Sequence, residues 1–152
     1  MKKIILAIAI GLAAIAPATP AADALKTHPD TTGWADLFAA DFSNAAYSPR
    51  SWAWKDGVLS SQGKDGSIWT KQQYENFMLD LEFKLETNSN SGVFIYSTDT
   101  GKSWVKNTVE IQLLDDAGPK WTSLPPNQKC AGIFGHSVPM ATAVKPPGEW
   151  IG

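Results

Sequence analysis

Arginine is almost missing from this chain, with Arg50 standing alone. Lysine and arginine together number 13 against 15 aspartates and glutamates, a formal charge of −2. Without a basic stripe or an arginine cluster to grip phosphates, nucleic acid is excluded as a natural partner. Cysteine is equally scarce. Cys130 is the only one, so no internal disulfide can form and no Cys-rich zinc pattern exists. A lone thiol of this kind reads as buried and inert. Histidine occurs at His28 and His136 only. No Ser-His-Asp arrangement and no phosphate-cradling glycine loop is present. Beyond the N-terminal stretch the chain also lacks an amphipathic helix of useful length, an internal repeat and a low-complexity segment.

The N-terminus is different in kind. Met1-Lys2-Lys3 precedes an apolar run from Ile4 to Ile15, followed by small residues through Ala24. A basic start, a short apolar stretch and small residues form the layout of a secretory leader. The run is short for a membrane span, which takes about 20 residues. Ala16/Ala18 and Ala22/Ala24 both fit a small–x–small cleavage site, and no cysteine follows closely to take a lipid. The expectation is a leader over residues 1–22 and one domain over 23–152. The protein would be exported, periplasmic or extracellular, with no membrane span once the leader is cut.

What the chain has in quantity is alternation. Phe77, Leu79, Leu81, Phe83 and Leu85 alternate with Met78, Asp80, Glu82 and Lys84, which predicts a long strand over 76–86 with one core face. Val109, Ile111 and Leu113 repeat the pattern over 108–114, with Glu110 and Gln112 on the opposite face. Asp56-Gly57 between Trp52–Lys55 and Val58–Ser60 predicts a two-residue hairpin. Asn88 to Gly92 reads as a turn cluster, Val93–Ser97 and Ala131–Phe134 as strands, and Trp34–Phe38 as a short turn or strand. The tail from Val144 to Gly152, with Pro146-Pro147-Gly148, reads as irregular. Many short strands at close spacing argue for an all-β sandwich or jelly roll, and a barrel fits the same pattern. Seven tryptophans are spread along the chain. Most belong in a β core, and one or two at a rim would suit a sugar ring.

Several segments carry a family resemblance: Gly33-Trp34-Ala35-Asp36-Leu37-Phe38, Trp54-Lys55-Asp56-Gly57-Val58-Leu59, Ile68-Trp69-Thr70, and Tyr74-Glu75-Asn76-Phe77 running into Leu79–Leu85. Asn90-Ser91-Gly92-Val93-Phe94, Val109–Asp116 and Lys145-Pro146-Pro147-Gly148-Glu149-Trp150 continue the series. In this order they resemble the 3-keto-disaccharide hydrolase family. The resemblance implies an all-β, concanavalin A-like β-sandwich (jelly roll), exported, acting on glycosides whose C3 hydroxyl is already a ketone. It also implies a partner oxidoreductase that makes the keto sugar, and a domain that continues past Glu149-Trp150. The chain is thus expected to lack its C-terminal strands. Many relatives carry an arginine after the Asn-Ser-Gly strand, where this chain reads Phe94-Ile95-Tyr96-Ser97.

A ketone at C3 acidifies the proton on C2, so a base can remove it and the group on C1 can leave. This route needs a general base and a stabiliser for the enolate oxygen, and it dispenses with the paired carboxylates of ordinary glycosidases. Glu110 is the first candidate for the base, and a solvated glutamate on an exposed strand face is the plain alternative. His136 is the second catalytic candidate, or else a structural loop histidine. Asn90, Gln112, Asp115, Asp116, Trp121 and Lys145 are the candidates for contacts to the sugar. Adjacent aspartates also open turns, and a lysine such as Lys145 also serves as a solvated surface charge. Asp80, Glu82 and Lys84 read as a solvated face. No metal and no cofactor is expected. A non-catalytic, lectin-like sugar-binding module and an inactive fragment are the competing readings.

Overall fold

A computed structural model describes residues 4–11 (as backbone), 30–63, 66–97, 108–142 and 144–152. The candidate cleavage sites, His28 and Trp104 lie outside the described residues. Ten strands carry the fold among the described residues: β1 Ile4–Gly11, β2 Ala35–Asp36, β3 Ala45–Tyr47, β4 Trp52–Lys55 and β5 Val58–Ser61. β6 Ile68–Thr70, β7 Met78–Leu85, β8 Asn90–Ile95, β9 Val109–Leu114 and β10 Trp150–Ile151 follow. A 3-10 turn at Pro126–Gln128 is the helical piece among the described residues. No helix there is long and apolar enough to cross a membrane. The architecture is a β-sandwich of antiparallel sheets. A larger sheet runs β10-β7-β1-β5-β4, with β2 also on β1, and the pairs β3–β6 and β8–β9 complete it.

The alternation in β7 works as its pattern demands. Phe83 and Leu85 are buried and Leu79 and Leu81 pack against the core, while Glu82 between them is exposed. Leu59 of β5, Leu113 and Leu114 of β9, Phe38, Ala45 and Cys130 close the same core. The Asp56-Gly57 hairpin joins β4 to β5, with φ of 53° and 74° at the two turn residues. Positive φ at both positions matches the right-handed twist of the flanking strands.

The structure departs from the sequence reading in four places. The tail is not wholly irregular, because Trp150–Ile151 pairs with Lys84 and Phe83 of β7. That register buries Ile151 in the core and leaves the Trp150 ring on the other face, 5.0 Å from Lys84 Nζ. The proline-rich stretch before it is the turn that allows this, with the Gly148 N–H donating to the Leu85 carbonyl at 2.8 Å. The turn at 88–92 is shorter than its composition suggests. Asn88 takes φ of 61°, the Ser89 hydroxyl accepts the Glu86 N–H at 3.0 Å, and β8 begins at Asn90. Residues 131–134 do not form a strand. Ile133 makes single bridges to Ile111 and Ser137, because the chain reverses at once through Gly135, whose φ is 75°. In β9 the expected core face is not the buried one throughout: Val109 and Ile111 are half-buried, while Gln112 and Leu114 on the opposite face are buried along with Leu113.

Candidate functional site

Antiparallel pairing sets which side chains of β8 and β9 share a face. Glu110 stands opposite Phe94, Gln112 opposite Gly92 and Leu114 opposite Asn90, while Val109, Ile111 and Leu113 face the other way. The face carrying Glu110 is unevenly covered. Toward the end of β9 the segment 128–132 lies alongside. Gln112 donates its N–H to the Gly132 carbonyl at 3.0 Å, and its own carbonyl accepts the Ala131 N–H at 2.8 Å. The Gln112 side chain is only 1% exposed, its Nε2 reaches the Gln128 carbonyl at 3.5 Å, and its Oε1 has no partner among the described residues.

Glu110 sits where that cover ends. Its side chain lies diagonally across Gly92. A Cβ placed on Gly92 would stand 2.7 Å from Glu110 Cγ and collide with the carboxylate itself. Gly92 is therefore required for space rather than for an unusual φ. The carboxylate is half-buried and makes no hydrogen bond or ion pair among the described residues. Burial alone pushes its pKa above the ordinary glutamate value.

Gly92 and Phe94 are also wall residues of a cavity of about 920 Å³ between β6, β8 and the start of β7. Its walls are aromatic: Trp52, Trp69, Tyr74, Phe77, Phe94 and Tyr96. Trp69 and Phe94 stand 6.0 Å apart, and Phe77 and Tyr96 6.4 Å. Thr70, Gln72, Gln73 and Ser91 supply polar groups, and Lys71 is the one charged lining residue among the described residues, its Nζ bonded to the Ser43 carbonyl at 2.8 Å. Glu110 is not itself a wall of this space. Its neighbours across the ladder, Phe94 and the diagonal Gly92, are.

A match to the family described as the 3-keto-alpha-glucoside-1,2-lyase-like domain spans residues 29–151. The chain belongs to this family. A solved structure from Parabacteroides distasonis, of a protein named as a candidate glycosyl hydrolase, is 50% identical with a TM-score of 0.70. The similarity covers 75% of this chain and 57% of that one, so the chain matches little more than half of that relative's length. No curated protein matches the chain.

Within this lyase-like domain the remaining candidates fall into three groups. His136 is exposed and belongs to the reverse turn after Ile133, its N–H bonded to the Ile133 carbonyl at 2.8 Å. The same turn hangs from β9 at Glu110, whose carbonyl accepts the Phe134 N–H at 2.9 Å. Thus the fold brings the His136 turn to the Glu110 end of β9. Asp115, Asp116 and Trp121 form a second group. Asp115 is 1% exposed, its Oδ2 accepts the Asn88 N–H at 2.7 Å and its Oδ1 has no partner among the described residues. The Asp116 carboxylate accepts the Cys130 N–H, at 3.0 and 3.3 Å. The indole N–H of Trp121 donates to the Asn88 carbonyl at 3.0 Å, and Lys120 Nζ stands 4.3 Å from its ring centroid. These groups hold the 86–89 turn and the 115–130 loop together. Asn90 is exposed at the start of β8, and Lys145 forms the third group, its Nζ bonded to the Trp150 carbonyl at 2.7 Å.

Sequence reasoning passed over Gly92 as a turn residue and left Phe94, Trp69, Tyr74 and Tyr96 unassigned. Two aromatic pairs at short spacing, Tyr74/Phe77 and Phe94/Tyr96, were the visible signal. No group of three or more histidine, cysteine, aspartate or glutamate side chains able to hold a metal occurs among the described residues.

Proposed function

We propose that this domain takes part in cleaving the glycosidic bond of 3-keto-glycosides, with Glu110 as the general base. The observation that carries the reading is the Glu110 carboxylate, half-buried over Gly92, without a counter-ion among the described residues, beside an aromatic-walled cavity. A base needs an open lone pair and a pKa nearer the working pH than an exposed carboxylate has. Burial supplies the second. In the reaction Glu110 takes the proton from C2, and the electron pair forms the enolate of the C3 ketone. The enolate then expels the C1 substituent, breaking the C1–O bond and leaving a C1–C2 double bond. Water adding across that bond makes the net result hydrolysis. His136, whose turn is bonded to β9 at Glu110, is the candidate source of a proton for the leaving oxygen. The ketone has to be made beforehand, so a sugar-oxidising enzyme is the implied partner. The leader-like N-terminus supports export, which cell fractionation would test.

The deciding experiment uses the purified chain and the 3-keto-glucoside of a chromogenic phenol. The expected result is phenol release, reduced about 10²- to 10⁴-fold in Glu110→Gln, the range for removing a general base. Undiminished turnover by Glu110→Gln would reject the assignment. The second reading is a sugar-binding module without turnover. It is favoured by the cavity walls themselves, which among the described residues hold stacking aromatics but no carboxylate or histidine. Saturable binding of the keto-glucoside without phenol release would support it.

A further inference from the structure

The position of a base decides where the leaving group must lie. C1 is bonded to C2, so a sugar whose C2 proton meets Glu110 holds its leaving oxygen beside the same carboxylate. Whatever that oxygen carries then rests on the surface around Glu110. Toward Gln112 the surface is closed, because that side chain is buried. Directly across the ladder stands Phe94, on the same face as Glu110. Side chains paired in this way have Cβ atoms about 4.5–5.5 Å apart. Trp69 follows Phe94 at 6.0 Å, tilted by 30°. Phe77 stands 6.5 Å from Tyr74 and 6.4 Å from Tyr96. All five rings wall the cavity that Gly92 also borders.

These rings are not core. None of them belongs to the buried cluster or to the side chains packed against it among the described residues. Tyr96 is 66% exposed and holds a φ of 54°. A bulky residue in the left-handed region is strained, and so open a side chain recovers little of that by burial. Strain retained without a packing return points to a ligand. The walls are poor in what a second sugar needs. Among the described residues they hold no carboxylate or histidine, and Lys71 gives its Nζ to the Ser43 carbonyl. Each sugar hydroxyl buried there without a partner would cost free energy. A flat aromatic body needs ring faces instead. We propose that the five rings form the leaving-group subsite, and that it selects 3-keto-glycosides of a flat aromatic alcohol, released as a phenol, over those of a second sugar. The assignment rests on Glu110 as the base.

The test separates binding from leaving-group chemistry by using Glu110→Gln, which holds the intact ligand uncleaved. Calorimetric titration gives dissociation constants for the 3-keto-glucosides of 2-naphthol, phenol and methanol and for 3-keto-cellobiose. The naphthyl ligand should bind about tenfold more tightly than the methyl ligand or 3-keto-cellobiose, with phenyl between, from two ring contacts of ordinary worth. Adding Phe94→Leu should weaken the naphthyl ligand about 3- to 10-fold and the methyl ligand less. Tyr96→Asn should weaken it in the same order. It removes an exposed ring, keeps a residue type that tolerates the left-handed backbone, and serves even if Phe94→Leu fails to fold. With Glu110 intact, either loss should appear in KM rather than in kcat. Equal affinity for all four ligands, or a preference for 3-keto-cellobiose, would overturn the subsite even where the parent turns over every one of them. So would a naphthyl preference that both substitutions leave untouched. Cleavage by Glu110→Gln at the parent's rate is a different failure: it removes the base, and the leaving-group assignment falls with it.

Discussion

The two ends of β9 treat their acids in opposite ways. At the C-terminal end Asp115 and Asp116 are spent on backbone donors, Asn88 N–H for one and Cys130 N–H for the other. Near its start Glu110 crosses a glycine, loses part of its water and receives no donor or cation among the described residues. The covered end also buries Gln112, whereas Glu110 at the open end is only half-buried and lies over Gly92, a wall residue of the aromatic cavity. Backbone donors that need satisfying turn an acid into a fastener, and an acid left without them keeps its lone pairs for a ligand.

The sharpest way to break this comparison is Glu110→Gln. It should cost about 10²- to 10⁴-fold in turnover of a 3-keto-glucoside, or about 3–5 kcal/mol of barrier, while the urea unfolding curve shows no loss of stability. Asp115→Ala should do the reverse. Removing a buried carboxylate from the Asn88 N–H should cost about 2–3 kcal/mol in urea denaturation, and Asp115→Asn less, because an acceptor remains. Gly92→Ala tests the open end by space alone. The methyl has to push Glu110 aside, for about 1–2 kcal/mol of stability, with turnover falling although no reacting group has been removed.

The smallest effect is one of pH. Burial raises the Glu110 pKa in the folded state, so folded protein keeps this proton to a higher pH than unfolded protein does. The contribution of Glu110 to stability therefore declines as pH rises from its unfolded value through its folded one. Glu110→Gln removes that decline. Its urea midpoint relative to the parent should be more favourable near neutrality, and the difference should vanish below the ordinary glutamate range. Turnover runs the other way, since the base works as the carboxylate. The acidic limb of kcat/KM should lie above the ordinary glutamate value and be absent from any residual activity of Glu110→Gln.

Much of the fold was legible because period-two alternation leaves no choice of face. Phe83 and Leu85 go inward and Glu82 outward in β7, and Asp56-Gly57 sets the β4–β5 register. Part of the site was legible for the same reason, since Glu110 and Gln112 share a face. Their different fates were not legible. Gln112 is covered by residues 128–132, which meet β9 through a connection whose path no local pattern records. Asp115 and Asp116 looked alike as ligands, and only the position of Asn88 and Cys130 made them fasteners. Gly92 looked like a turn glycine, because the carboxylate that needs its space comes from another strand.

The amino-acid sequence by itself determined the all-β class, the core face of β7, the tight Asp56-Gly57 reversal and the family. Each of these depends on residues close together in the chain, or on short segments in a fixed order. Tertiary structure alone decided which acid keeps its lone pairs, where the aromatic rings gather, and which strand joins β5 to β7. Those outcomes depend on distant segments meeting, and the energy of such a meeting belongs to neither segment alone.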